Sequence, residues 1–146
     1  MRDEIDRLLV ERLRADGRAS FVELGRAVGL SAPAVKRRVD RLREEGVIVR
    51  FTAVVDPRVL GQGTEVFVEL FCSHHTSPGD IQALAQKHAE IVGAFTVSGD
   101  ADALLHLRTP DIAALERVLE LIRSEPVVER TRSTIVLSNF LDDGQA

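Results

Sequence analysis

Residues Ser31 to Arg43 carry five cations (Lys36, Arg37, Arg38, Arg41 and Arg43) and one anion, Asp40. Cationic side chains at this density donate to phosphate oxygens, and a guanidinium fork can also donate to guanine O6 and N7. The remaining residues offer little competing chemistry. No Ser-His-Asp order, P-loop, CxxC pair or HExxH occurs. Cys72 stands near His74 and His75, but neighbouring strand residues face opposite sides and no second ligand cluster accompanies them. They read as a strand and the loop after it. Cys72 reads as a small buried hydrophobe and His106 as a mid-strand residue. No catalytic residue, metal site or cofactor is expected.

A second group of polar residues surrounds Gly99. Asp100 and Asp102 flank a turn between two strand-like runs. Asp satisfies ordinary turn geometry. The same carboxylates could instead hold an ammonium group while turn N–H groups hold a carboxylate. The residues alone favour the ordinary turn.

The elements that position the cations are marked in the sequence. Ser20 with Glu23 three residues on forms a capping box, which starts a helix over Phe21–Val28. Gly29 supplies the left-handed residue that ends it. Ser31 is placed to cap the next helix, with Pro33 in its first turn. Two short helices about a tight turn form a helix-turn-helix, whose second helix enters the DNA major groove. Upstream, Ile5, Leu8, Leu9 and Leu13 predict an amphipathic helix from Asp3 to about Ala15.

On the basic helix, Val35, Val39 and Leu42 make an apolar stripe. Pro33, Arg37, Asp40, Arg41 and Glu44 point away from it, and Lys36 and Arg38 flank it. Arg37, outermost, is the first candidate for reading bases. Arg38, nearer the stripe, fits either DNA contact or a structural ion pair. The candidate DNA-binding residues are therefore Ser31, Pro33, Lys36, Arg37, Arg38 and Arg41.

Net charge supports this division. The chain is −4 overall, but residues 1–50 hold 12 Lys and Arg against 9 Asp and Glu, while residues 51–146 hold 7 against 14. A basic segment on an acidic chain is the footprint of a phosphate-binding surface. A single cysteine fits a reducing cytoplasm. No apolar run is long enough to span a membrane, and no secretory signal is read.

The rest of the chain predicts an α+β fold. Gly46 closes the basic helix, and the β-branched stretch Val47–Val55 predicts a strand or small hairpin, a wing beside the helices. A Pro- and Gly-rich hinge follows, Asp56–Gly63. Strands are expected at Glu65–Cys72, Ile91–Ser98, Asp102–Arg108 and Glu129–Leu137. One helix runs from a Ser77 cap to about His88, with Ile81, Leu84, Ala85 and His88 on one side. Another starts at Thr109-Pro110-Asp111, with Pro110 at its first position and Ile112, Leu115, Leu119 and Ile122 buried. The order βαββαβ is that of a ferredoxin-like sandwich. The expected divisions are a winged helix-turn-helix at 1–50, wing strand and hinge at 51–63, a ferredoxin-like domain at 64–140, and a disordered tail at 141–146. Val66, Val68 and Leu70 share one face of the first strand while Phe67 and Phe71 share the other, so apolar residues lie on both sides of the sheet. Two helices cover one side only, which predicts at least a dimer.

The stretches DGRASFVELGRAVGLS, RRVDRLREEGVIVRFTAVVDPRVLG and VSGDADALL, in this order, resemble the leucine-responsive/AsnC, or feast/famine, family of bacterial and archaeal regulators. The resemblance implies a homodimer, or a tetramer or octamer, that binds double-stranded operator DNA. It also implies a C-terminal domain that binds an amino-acid effector between subunits, which shifts the Gly99 turn toward the ligand-rim reading. The implied effector residues are Ser98, Gly99, Asp100, Ala101, Asp102, Thr131 and Ser133. Ala101 and Ala103 stand where the family usually has aromatics, which predicts room for a bulkier ligand side chain. The reading is a transcriptional regulator whose oligomerisation and operator affinity respond to an amino acid or related metabolite. Two alternatives stand beside it: a ligand-independent architectural DNA-binding protein, and a small enzyme, for which no acid–base pair stands out.

Overall fold

A computed structural model of the chain describes residues 3–73 and 75–140. His74 and the tail at 141–146 lie outside the described residues. The chain divides into two compact units between Val54 and Val55.

The first unit holds helices α1 (Glu4–Ala15), α2 (Phe21–Val28) and α3 (Ala32–Glu44). Asp3 caps α1 by accepting from the Asp6 N–H at 2.9 Å. The Ser20–Glu23 capping box is closed in both directions, at 3.2 Å and 2.8 Å. Gly29 takes φ +70° at the end of α2, and the Leu30 N–H donates to the Gly25 carbonyl at 2.9 Å. That bond folds the chain back so tightly that a Cβ on Gly25 would lie 2.4 Å from the Leu30 carbonyl oxygen. The helix-turn-helix therefore needs two glycines for two reasons, a positive φ at Gly29 and a close backbone approach at Gly25. Leu9, Leu24, Val35 and Val39 form the core, with Ile5, Leu13, Val28, Leu30 and Ile48 packed against it.

Residues 49–56 contain no strand, contrary to the expectation at Val47–Val55. The stretch has the composition of a strand, but among the described residues no other strand pairs with it. Val49, Phe51, Val54 and Val55 remain exposed. Strand propensity without a ladder partner does not make a strand. The hinge is a compact turn, in which the Gln62 N–H donates to the Pro57 carbonyl and Gly61 takes φ +69°.

The second unit is β1 (Thr64–Cys72), α4 (Pro78–Lys87), β2 (Ile91–Thr96), β3 (Ala103–Thr109), α5 (Ile112–Arg123) and β4 (Val128–Ile135). The strands form one antiparallel sheet in the order β2-β3-β1-β4, the ferredoxin-like arrangement. Val66, Val68, Leu70, Ala103, Leu105 and Leu107 meet Ile81, Leu84, Leu115, Val118, Leu119 and Ile122 in a single core. Two details of α5 differ from expectation. Asp111, not a residue before it, is the N-cap, accepting from the Ala114 N–H at 2.7 Å, so Pro110 precedes the helix. Val118 joins Leu115, Leu119 and Ile122 on the buried side, and Ile112, just past the cap, is exposed.

Candidate functional site

Helix α3 presents its polar side as the wheel predicts, but its cations are not equivalent. Ser31, Pro33, Lys36 and Arg37 are exposed. Ser31 occupies the N-cap position with extended backbone, yet its hydroxyl makes no capping bond, in contrast to the expectation. The side chain is therefore available to a ligand. Lys36 pairs with Asp40 one turn on, at 2.5 Å. Among the described residues Arg37 makes no hydrogen bond or ion pair.

Arg38 and Arg41 turn the other way. The Arg38 guanidinium donates to both Asp3 oxygens, at 2.9 and 2.7 Å, and to Asp6 at 2.8 Å. Arg41 donates to both Asp6 oxygens, at 3.0 and 2.8 Å. The Asp6 carboxylate is fully buried, so it requires these partners. Its capping bond from Asp6 N–H, and then Arg38, hold the Asp3 carboxyl below its ordinary range. These contacts tie α3 to α1. Arg38 is the structural ion-pair partner that the helical wheel left as one option. Arg41, read from the sequence as pointing to DNA, is engaged inside the unit. The sequence marked both arginines as basic but gave no sign that Asp3 and Asp6, more than thirty residues away, would meet them.

In the second unit, the β2–β3 turn places Ser98, Gly99 and Asp100 in the open, with Gly99 at φ +132°. The Asp102 carboxylate accepts from the Cys72 N–H at 2.7 Å, and its own N–H donates to the Leu70 carbonyl at 2.9 Å. Asp102 thus fastens the turn to the end of β1. Thr131 and Ser133 do share a face. They pair with Leu70 and Val68, which point to the helices. The Thr131 hydroxyl accepts from Arg123 of α5 at 3.0 Å. Asp100 acts toward the opposite face. The Arg132 guanidinium is held above its ordinary range chiefly by its hydrogen bond and charge contact to Glu69, with a further contribution from Asp100. Ala103 is fully buried within the helix-side core, so its small size serves packing and does not widen a pocket.

The face of the sheet away from α4 and α5 carries a set of contacts not foreseen from sequence. His106 stacks on Phe67 and its Nε2 lies 2.6 Å from Glu65, which also receives Arg108 at 3.3 Å. The Arg130 guanidinium sits 3.6 Å from the centroid of the Phe71 ring. Period-two alternation places these residues on one side, but only the β1–β3 and β1–β4 registers bring each pair together. Among the described residues no group of three His, Cys, Asp or Glu is placed to hold a metal ion, and no helix is long and apolar enough to cross a membrane.

Two family models match this chain. That of the AsnC-type helix-turn-helix domain covers residues 3–43, and that of the Lrp/AsnC ligand binding domain covers residues 65–146. The chain belongs to the Lrp/AsnC family. It is similar to the HTH-type transcriptional regulator Rv2324 of Mycobacterium tuberculosis, at 48% identity over 140 residues, spanning 96% of this chain and 95% of the relative. Among solved structures it is similar to the feast or famine regulatory protein Rv3291c of M. tuberculosis complexed with L-methionine, at 38% identity, TM-score 0.90, and 99% and 97% coverage. It is also similar to the transcriptional regulator NMB0573 of Neisseria meningitidis in complex with L-methionine, at 26% identity, TM-score 0.90, and 97% and 94% coverage. This Lrp/AsnC chain is thus a helix-turn-helix transcriptional regulator, with its DNA-binding domain first and its ligand-binding domain second.

Proposed function

We propose that this Lrp/AsnC regulator reads operator DNA with the exposed side of α3. In this reading Ser31 and Pro33 approach the backbone at the start of the helix, Lys36 contacts phosphate, and Arg37 reaches base edges. The observation that carries the reading is Arg37 itself: a cation on the exposed side of the second helix, with no partner among the described residues. Arg38 and Arg41 have a positioning role in place of the direct contact read from sequence.

The protein acts as a dimer or a tetramer or octamer, assembled through the sheet face that bears Phe67 and Phe71. A free amino acid binds between neighbouring ligand-binding units, near Ser98–Asp102, Thr131 and Ser133. It favours one assembly over another and so changes operator affinity, which requires different affinities for the two states. Support comes from the exposed Gly99 turn and from L-methionine in two similar proteins. Asp100 is the side chain best placed to meet the ligand, since Asp102 and Thr131 already have partners and Ser133 lies on the helix side of the sheet. Such a regulator works in the cytoplasm, performs no catalysis and needs no cofactor.

The engagement of Asp102 and Thr131 also favours a second reading, in which the chain binds DNA without an effector. Calorimetry against the twenty amino acids separates the two. The sensing reading expects heat with at least one, lost in Asp100→Ala. No heat with any, and DNA binding unmoved by all of them, overturns it in favour of ligand-independent binding.

A further inference from the structure

The basic helix carries an internal brake on its own charge. Arg38 and Arg41 are two of the five cations in Ser31–Arg43, and both point at one buried carboxylate. The same Arg38 Nη1 that donates to Asp6 also donates to Asp3, so one end of the guanidinium serves two carboxylates. The side chains of Arg38 and Arg41 are 24% and 31% exposed, enough to reach solvent if released. A charge neutralised inside the protein displaces no counterions from DNA. Phosphate attraction is the same for every sequence, so each free guanidinium strengthens binding to all DNA alike and adds nothing to discrimination, which comes from how α3 is aimed at the bases.

We propose that Asp6 is a specificity-setting positioning residue: by holding Arg38 and Arg41 it withdraws two cations from phosphate contact and fixes the roll of α3, leaving base readout to Arg37. Three features support this. Asp6 is completely buried although it is ionisable, so it has no solvation role of its own. Its partners lie on the recognition helix and not on a neighbouring surface. They are spaced three residues apart, on the side of α3 that meets α1, whereas Arg37 lies on the open side. The inference rests on the reading of α3 as the DNA-contacting helix.

The test measures the salt dependence of binding for two duplexes. One is the duplex that the wild-type chain enriches from a randomised pool, and the other is a shuffled duplex of equal length and composition. Asp6→Asn keeps the size of the side chain and removes its charge. The slope of log K against log salt is expected to steepen by about 1–2, the contribution of one or two added phosphate contacts. The preference for the enriched duplex is expected to fall by about threefold or more, because α3 is no longer held at the roll that aims Arg37 at the bases. A purely structural role would lower both affinities and leave the slope unchanged, and that result overturns the proposal. Arg41→Gln supplies an independent readout if Asp6→Asn does not fold. It should leave the slope of the wild type unchanged, and a slope shallower by about 1 would show that Arg41 already contacts phosphate. Wild-type binding without salt dependence would overturn the DNA-contacting role of α3 itself. Normal wild-type binding with an unaltered slope in Asp6→Asn would overturn only the role of Asp6.

Discussion

The imidazole of His106 stacks on the ring of Phe67, with centroids 4.7 Å apart and planes 18° from parallel. The pair lies on the sheet face that neither α4 nor α5 covers. His106 is only 7% exposed in the isolated chain, because Phe67, Glu65 and Arg108 enclose it. A preorganised aromatic surface of this kind is suited to burial against a second copy.

Phe67→Asp should therefore weaken self-association. In a two-fold dimer the substitution falls twice, removing partly exposed aromatic surface and setting two carboxylates at the interface that lose their water on association. The dissociation constant of the dimer should rise by about a hundredfold or more. Light scattering across a dilution series checks this, and an unchanged mass at every concentration would place the interface elsewhere.

Arg37→Ala should weaken binding to the enriched duplex by about 1–3 kcal/mol and relax the preference at one base position. Binding titrations on duplexes varied one position at a time read both quantities. An equal loss on shuffled DNA would identify a phosphate contact instead of base readout.

Gly25→Ala should destabilise the first unit by about 1–3 kcal/mol, since the added methyl meets a backbone oxygen that cannot rotate away. Gly17→Ala is the control, because its nearest neighbour is at 3.7 Å. Urea denaturation followed by circular dichroism compares them, and equal midpoints would refute the crowding argument.

Acid should loosen the helix starts. The Ser20 hydroxyl and N–H hold the Glu23 carboxyl below its ordinary value of 4.5, and the Ser77 N–H and hydroxyl hold Asp80 below 3.8. Each group binds protons more weakly when folded. Its contribution is complete above the ordinary value and is lost as pH falls through the lower folded value. Melting temperature should drop on acidification below about pH 4.5, and less steeply in Glu23→Gln. A parallel fall in both proteins would show that this cap does not contribute.

Local rules located most of the elements. The Ser20 box, the Ser77 cap, Gly29 and the alternation of Val66, Val68 and Leu70 are short-range signals, and each stands where the sequence places it. What was missed depends on distance along the chain. The wheel for α3 contained no α1, so it could not tell that Arg41 would be drawn to Asp6. Ala103 was read against a family pattern as an opening, whereas the β1–β3 pairing sets it opposite Leu70 in the core. Val47–Val55 has the residues of a strand but no ladder among the described residues, and propensity alone cannot report that.

The two edges of the sheet differ in a way that bears on handling and evolution. Strand β4 carries Glu129, Arg130 and Arg132 along its length, whereas β2, Ile-Val-Gly-Ala-Phe-Thr, carries no charge and leaves Val92 and Phe95 exposed. Unwanted strand addition is thus opposed at one border of the sheet and unopposed at the other. When the second unit loosens, aggregation should begin at β2. A lysine introduced at Val92 would act as a gatekeeper against it, at a position where no core contact is lost.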